Sequence, residues 1–129
     1  MLRNLVLAAV IGLATPAMAH DASKFHTGPN GGHLVDVVGG EQHWELVAAG
    51  NELTLYVTDG DDKPVDIAGG RAEAQVLVSG KTHRVEFTPA GGNTMKATGD
   101  FTAAKGMKVI LKTDGIAGKS FQARLTPLK

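Results

Sequence analysis

From His33 onward, apolar and polar residues alternate with a period of two rather than 3.6. Trp44, Leu46 and Ala48 alternate with His43, Glu45 and Val47, and Leu53, Leu55 and Val57 alternate with Thr54, Tyr56 and Thr58. Ala72, Ala74, Val76 and Val78 share one face, as do His83, Val85 and Phe87. The pattern returns at Met95 and Ala97, at Val109 and Leu111, and at Phe121, Ala123 and Leu125. Successive side chains of a strand point to opposite faces, so each run describes a strand with one buried and one wet face. Turn signals separate the runs, among them Gly39-Gly40, Gly50-Asn51, Asp59-Gly60, Ser79-Gly80, Gly91-Gly92-Asn93 and Asp114-Gly115. Glycine, Asn and Asp supply the positive-φ positions of tight hairpins. No long amphipathic helix, fixed-period repeat or coiled-coil heptad interrupts the series. The pattern predicts an all-β chain forming a single β-sandwich, immunoglobulin-like, with about seven to eight strands, closed by a hairpin of the Val109 and Phe121 strands.

The first 19 residues read differently. Arg3 makes a positive start, Leu5 to Leu13 is an almost unbroken apolar run, and Ala17-Met18-Ala19 is a small-x-small cleavage signal. A helix crossing a bilayer needs about 20 apolar residues, so a cleaved signal peptide over 1–19 is expected rather than an anchor. Residues 20–32 are poor in apolar side chains and rich in turn formers, and are expected to be a mobile lead-in; the sandwich domain is expected over 33–129.

Composition narrows the function. The chain has no cysteine, so an exported product carries no disulfide and offers no thiolate ligand. Without Arg3 the charge is 12 basic against 13 acidic residues, which points away from nucleic acid and from anionic membrane surfaces. The expected location is the periplasm, with no membrane insertion after cleavage. A core of Val, Leu, Ile and Ala with Trp44, Phe87, Phe101 and Phe121 is large enough to fold without a metal.

Candidate chemistry lies with the histidines. Four of the five, His20, His26, His33 and His43, fall within 24 residues. Imidazole is the commonest protein ligand for late first-row metals. His26 and His33 bracket Thr27-Gly28-Pro29-Asn30-Gly31-Gly32, a turn able to fold back on itself. His43 is expected on the next strand, on the face of Glu45, which would be a ligand or an acceptor supporting one. If cleavage follows Ala19, His20 joins an α-amine to an imidazole, the start of a copper-binding brace. An amino-terminal X-X-His copper site is closed, because Ala22 holds the third mature position. His83, Met95 and Met107 fall in phase with core positions and read as packing residues. Asp59-Gly60-Asp61-Asp62-Lys63-Pro64 lacks the oxygen ligands of a calcium loop at Lys63 and Gly70, and reads as a turn. No nucleophile elbow, His-Glu-x-x-His or phosphate-binding glycine loop is present, so an enzyme is not the expectation.

His26-Thr-Gly-Pro-Asn-Gly-Gly-His33, His43-Trp-Glu45-Leu-Val and Leu-Tyr-Val-Thr-Asp59-Gly-Asp-Asp-Lys-Pro64-Val together resemble small periplasmic β proteins with a His-Gly-Pro-x-Gly-Gly start. They are also similar to the N-terminal region of periplasmic adaptor subunits of heavy-metal efflux pumps. The resemblance covers mainly residues 26–67 and implies a metal-related envelope role, with His26, His33 and His43 as the matching positions. The helical hairpin and lipoyl-like parts of an adaptor are absent, so pump assembly is not implied. The expected function is a periplasmic metal-binding protein that sequesters or hands on copper, zinc, nickel or cobalt, with copper or zinc favoured and a metal-efflux or other envelope protein as partner. The alternatives are an envelope interaction module without metal and a copper oxidoreductase built on a His20 brace.

Overall fold

The computed structural model describes residues 26–37 and 41–129. Among them are ten strands and no helix. The strands are β1 (His26–Thr27), β2 (His33–Val37), β3 (Gln42–Ala49), β4 (Glu52–Asp59), β5 (Arg71–Val78), β6 (Lys81–Glu86), β7 (Thr88–Pro89), β8 (Thr94–Thr98), β9 (Lys108–Ile116) and β10 (Lys119–Leu125). They form two antiparallel sheets, one ordered β1-β2-β3-β4-β8-β7 and the other β10-β9-β5-β6. The expected sandwich is therefore present. Eight strands have five residues or more, and the two extra ones are two-residue strips on the outer edges of the larger sheet.

The alternation seen in the sequence becomes the two inner faces. Trp44, Leu46, Leu53, Leu55, Val57 and Met95 from the larger sheet, and Val76, Val109 and Leu111 from the smaller, have no measurable exposure. Phe87 sits between β6 and β7, where the chain leaves one sheet for the other, and is buried. The closing hairpin expected from the Val109 and Phe121 runs is β9–β10, paired from Val109–Leu125 to Ile116–Lys119 with one bulge.

A buried amide ties the layers at one end. Gln42 Nε2 donates to the Ile116 carbonyl across the sandwich at 3.1 Å, while its Oε1 accepts from the Trp44 indole at 3.2 Å. Gln42 is only 2% exposed, and these two bonds satisfy both ends of its side chain.

Residues 1–25, which include the expected signal peptide and His20, and residues 38–40 lie outside the described residues. The expected lead-in of 20–32 accordingly divides. From His26 the chain is already part of the larger sheet, paired through His26–Leu34 and Thr27–His33. Seven residues assigned to a loose approach are instead a hairpin arm and its turn.

Leu55→Ala should cost about 2–5 kcal/mol in urea unfolding, because the side chain has no exposure and its neighbours cannot collapse fully into the space. Gln75→Ala, on the exposed face of β5, should stay within about 0.5 kcal/mol of the parent.

Candidate functional site

The turn between β1 and β2 closes on a carboxylate. Glu45 points to the outer face of β3, level with Leu34 and Tyr56, where a charged side chain would ordinarily meet water. It is instead 2% exposed. Its Oε2 accepts from the Asn30 backbone N–H at 2.8 Å and the Gly32 N–H at 2.9 Å, and its Oε1 accepts from Asn30 Nδ2 at 2.9 Å. Hydrogen bonds to a charged acceptor are the stronger class, and here three converge on one group.

The turn's own sequence allows this. Gly28 N donates to the Gly32 carbonyl and Gly31 N to the Gly28 carbonyl, and Gly31 takes φ of +80°. A Cβ on Gly28 would overlap the Glu45 carboxylate, and one on Gly32 would strike the Leu46 carbonyl. Both glycines are needed for close approach rather than for flexibility. Glu45 was expected to ligate a metal or to support a ligating histidine; in the structure both of its oxygens accept instead from the turn's Asn30 and Gly32.

His33 begins β2 on the core face, in register with Leu46 and, through it, Leu55 and Met95. Its Nδ1 accepts from the Thr126 backbone N–H at 2.8 Å, just beyond the end of β10. That bond joins the larger sheet to the smaller one at the end opposite Gln42. An Nδ1 that accepts leaves the proton of a neutral ring on Nε2. A second proton, or a metal at Nε2, would put an N–H on Nδ1 facing another N–H. Burial first, then the charges of His26 and Lys129, hold the His33 imidazole below its ordinary value of 6.5.

His26 lies one strand out, opposite Leu34, with a buried Nε2. The register sets it on the outer face with Leu34 and Glu45, whereas His33 belongs to the inner one. The hairpin brings the two histidines close enough to feel each other's charge. It does not direct both rings to one point.

His43 stands apart from both. It pairs with Asp36 on β2 and Thr58 on β4, on the outer face at the far end of β3. Its Nδ1 is 2.7 Å from Asp62 Oδ1 and its Nε2 is 3.3 Å from Asp36 Oδ1. The ring is 15% exposed, Asp36 28% and Asp62 81%. Asp62 is carried there by the Asp59 loop, where it takes φ of +61°. Asp59 Oδ1 accepts from the N–H groups of Asp61 and Lys63 at 2.8 and 3.0 Å, and those two bonds hold its carboxyl below the usual range. This is a turn, as expected, and Asp59 Oδ1 holds its backbone.

Among the described residues, no three His, Asp or Glu side chains converge as a ready-made ion cage. Asp36 and Asp62 face opposite nitrogens of His43, so only one of them can share an ion with it. His83 packs beside Phe101, ring centres 6.1 Å apart and tilted by 57°, and Met95 and Met107 are buried. The packing roles expected for these three hold. Asp36 and Asp62 were not among the expected site residues. The signal for Asp36 was partial, since a hairpin through Gly39-Gly40 brings its strand beside that of His43 without fixing the register, whereas Asp62 depends on the course of a loop.

Glu45→Ala should destabilise the fold by about 2–4 kcal/mol, because it leaves the Asn30 and Gly32 N–H groups without their acceptor. Gly28→Ala should fall in the same direction. For His33 the sign follows from its lowered folded value: the unfolded chain takes the proton first, so stability is intact at neutral pH and declines as pH falls below about 6.5. His33→Gln, whose side-chain oxygen can still accept from Thr126, should flatten that decline between pH 7 and 5 in thermal melts; an unchanged slope would remove His33 as its source.

Comparison of the chain with protein-family models, with curated proteins and with solved structures finds no match.

Proposed function

We propose that the protein is an exported metal-binding protein of the periplasm that captures a divalent ion and hands it on. The ion is cargo, held by His43 Nε2 and Asp36 Oδ1. The observation that carries this is their 3.3 Å separation. Two donors each about 2.0–2.1 Å from a zinc ion, at a tetrahedral angle, lie about 3.3 Å apart, so the spacing of the pair matches that of two ligands sharing one ion.

Asp62 supports the same arrangement. Metal-binding histidines generally donate their other N–H to a carboxylate, which fixes the tautomer. With the ion on Nε2, the His43 proton sits on Nδ1, facing Asp62 Oδ1 at 2.7 Å. Asp59 is close enough to feel the charge on His43, so the surroundings are acidic and attract cations.

Two protein donors leave the remaining coordination positions to water or to a recipient's ligands. Such a site exchanges readily, which suits transfer better than storage. The tetrahedral bite favours zinc over the square-planar preference of Cu(II). The resemblance of residues 26–67 to heavy-metal efflux adaptors is in keeping with this role.

Calorimetric titration with Zn(II) and Cu(II) tests the proposal. His43→Ala should abolish binding, Asp36→Asn should weaken it severely, and Asp62→Ala should weaken it by about tenfold through loss of the orienting bond. His33→Gln should leave it unchanged. Binding that survives His43→Ala, or no binding of either ion, would overturn the assignment.

A further inference from the structure

At the end of the sandwich away from His43, an open cleft of about 480 Å³ is formed by the β5–β6 turn and the loop that leads into β9. Its sides include Lys81, Lys105 and Lys108, all exposed, and its lining contains no Asp or Glu. Between the lysines the lining mixes Ser79 and Thr82 with Ala104, and Val78 and Met107 are buried beneath it. Leu77, at its rim, is the one large hydrophobic side chain exposed among the described residues, at 39%. In a chain of 13 basic and 13 acidic residues, three lysines around the exposed Leu77 with no Asp or Glu in the lining are a local concentration of charge.

We propose that this cleft is a docking surface for an acidic, extended segment of a partner protein, which sets carboxylates against the three lysines and an apolar side chain against Leu77. Charge complementarity selects the sign of the partner. The openness of the cleft argues against a small molecule, since small-ligand sites enclose most of their ligand's surface. Its position along the sheet favours a polypeptide. Lys81 and Thr82, which line the cleft, begin β6, the outer strand of the smaller sheet, with a strand neighbour on one side only among the described residues. An outer strand presents backbone N–H and C=O groups that an extended segment can use, while alternate side chains reach the cleft.

The surface is independent of the metal proposal. Val78 is at the opposite end of β5 from Arg71, which pairs with Asp114 near the end tied by Gln42. Loss of His43 should leave docking intact, and loss of the lysines should leave metal binding intact, so either proposal can fail alone.

Fluorescence anisotropy with a labelled synthetic peptide of alternating glutamate and leucine tests it, using the intact protein at low and high salt. The expected result is saturable binding that weakens with salt, falls by about tenfold or more in Lys81→Gln/Lys105→Gln/Lys108→Gln, and falls by several-fold in Leu77→Ser. The melting temperature of each variant should match the parent, because all four side chains are exposed. A matched peptide of lysine and leucine should not bind. Competition by free citrate at the peptide's own concentration, binding to phosphatidylglycerol vesicles in place of the peptide, or peptide binding unaffected by the triple substitution would overturn the proposal.

Discussion

The carboxylate of Glu45 decides how the chain enters the fold. A charged group 2% exposed would be strongly destabilising alone, and the turn from Gly28 to Gly32 meets that cost by aiming two backbone N–H groups and the Asn30 amide at it. The dependence runs both ways, because the turn owes its shape to the acceptor. Two positions along that turn must lack a Cβ for the approach to occur. Once the turn is set, β1 is fixed beside β2, and His33 stands at the first residue of β2 with its ring toward Thr126. The contact that closes one end of the sandwich thus follows from a carboxylate on a neighbouring strand.

The same logic separates histidines that look alike in the sequence. A ring nitrogen has one lone pair or one proton to offer, so what it already holds determines what it can still do. His33 has committed Nδ1 to a backbone donor, and any ion or proton that reverses its tautomer breaks the bond between the two sheets. His43 holds carboxylates at both nitrogens, and replacing the Asp36 contact by a shared ion preserves the Asp62 contact. One histidine would lose structure by binding a metal and the other would not. Spacing along the chain carries no trace of that difference.

Legibility in the sequence followed the range of the interactions. The sandwich was legible because burial is averaged over whole strands: Trp44, Leu46, Leu55, Val76 and Leu111 fall on inner faces by period alone. That β2 pairs with β3 across the Gly39-Gly40 turn was legible, but the register that sets Asp36 opposite His43 was not. The polar ties were not. Gln42 to Ile116 spans 74 positions and His33 to Thr126 spans 93, and no local pattern marks which polar residue will be buried and joined to a distant backbone group. Glu45 was singled out for the company it keeps with His43, while its actual donors lie 13 and 15 positions before it. In the sequence those donors show only as turn formers, which by themselves suggest a mobile arm. Glycine permits a loop, but it also permits close approach, and the carboxylate that exploits the second property sits on another strand.

A net charge of zero conceals an uneven molecule. Asp36, Asp59 and Asp62 gather around His43 at one end, and Lys81, Lys105 and Lys108 surround the cleft at the other. The eight residues of β5 run between these ends, about 25 Å at the rise of a strand. That is several screening lengths at physiological salt, where charges fade over about 8 Å. A cation captured at the acidic end would therefore exert little direct repulsion on a basic cleft, or attraction on an acidic segment seated there. Any communication between them would have to pass through the framework, and that framework is a packed core fastened by Gln42 at one end and His33 at the other. The two ends are separate surfaces joined by one packed core, a division that would let the proposed ion exchange at one end while the proposed partner stays engaged at the other.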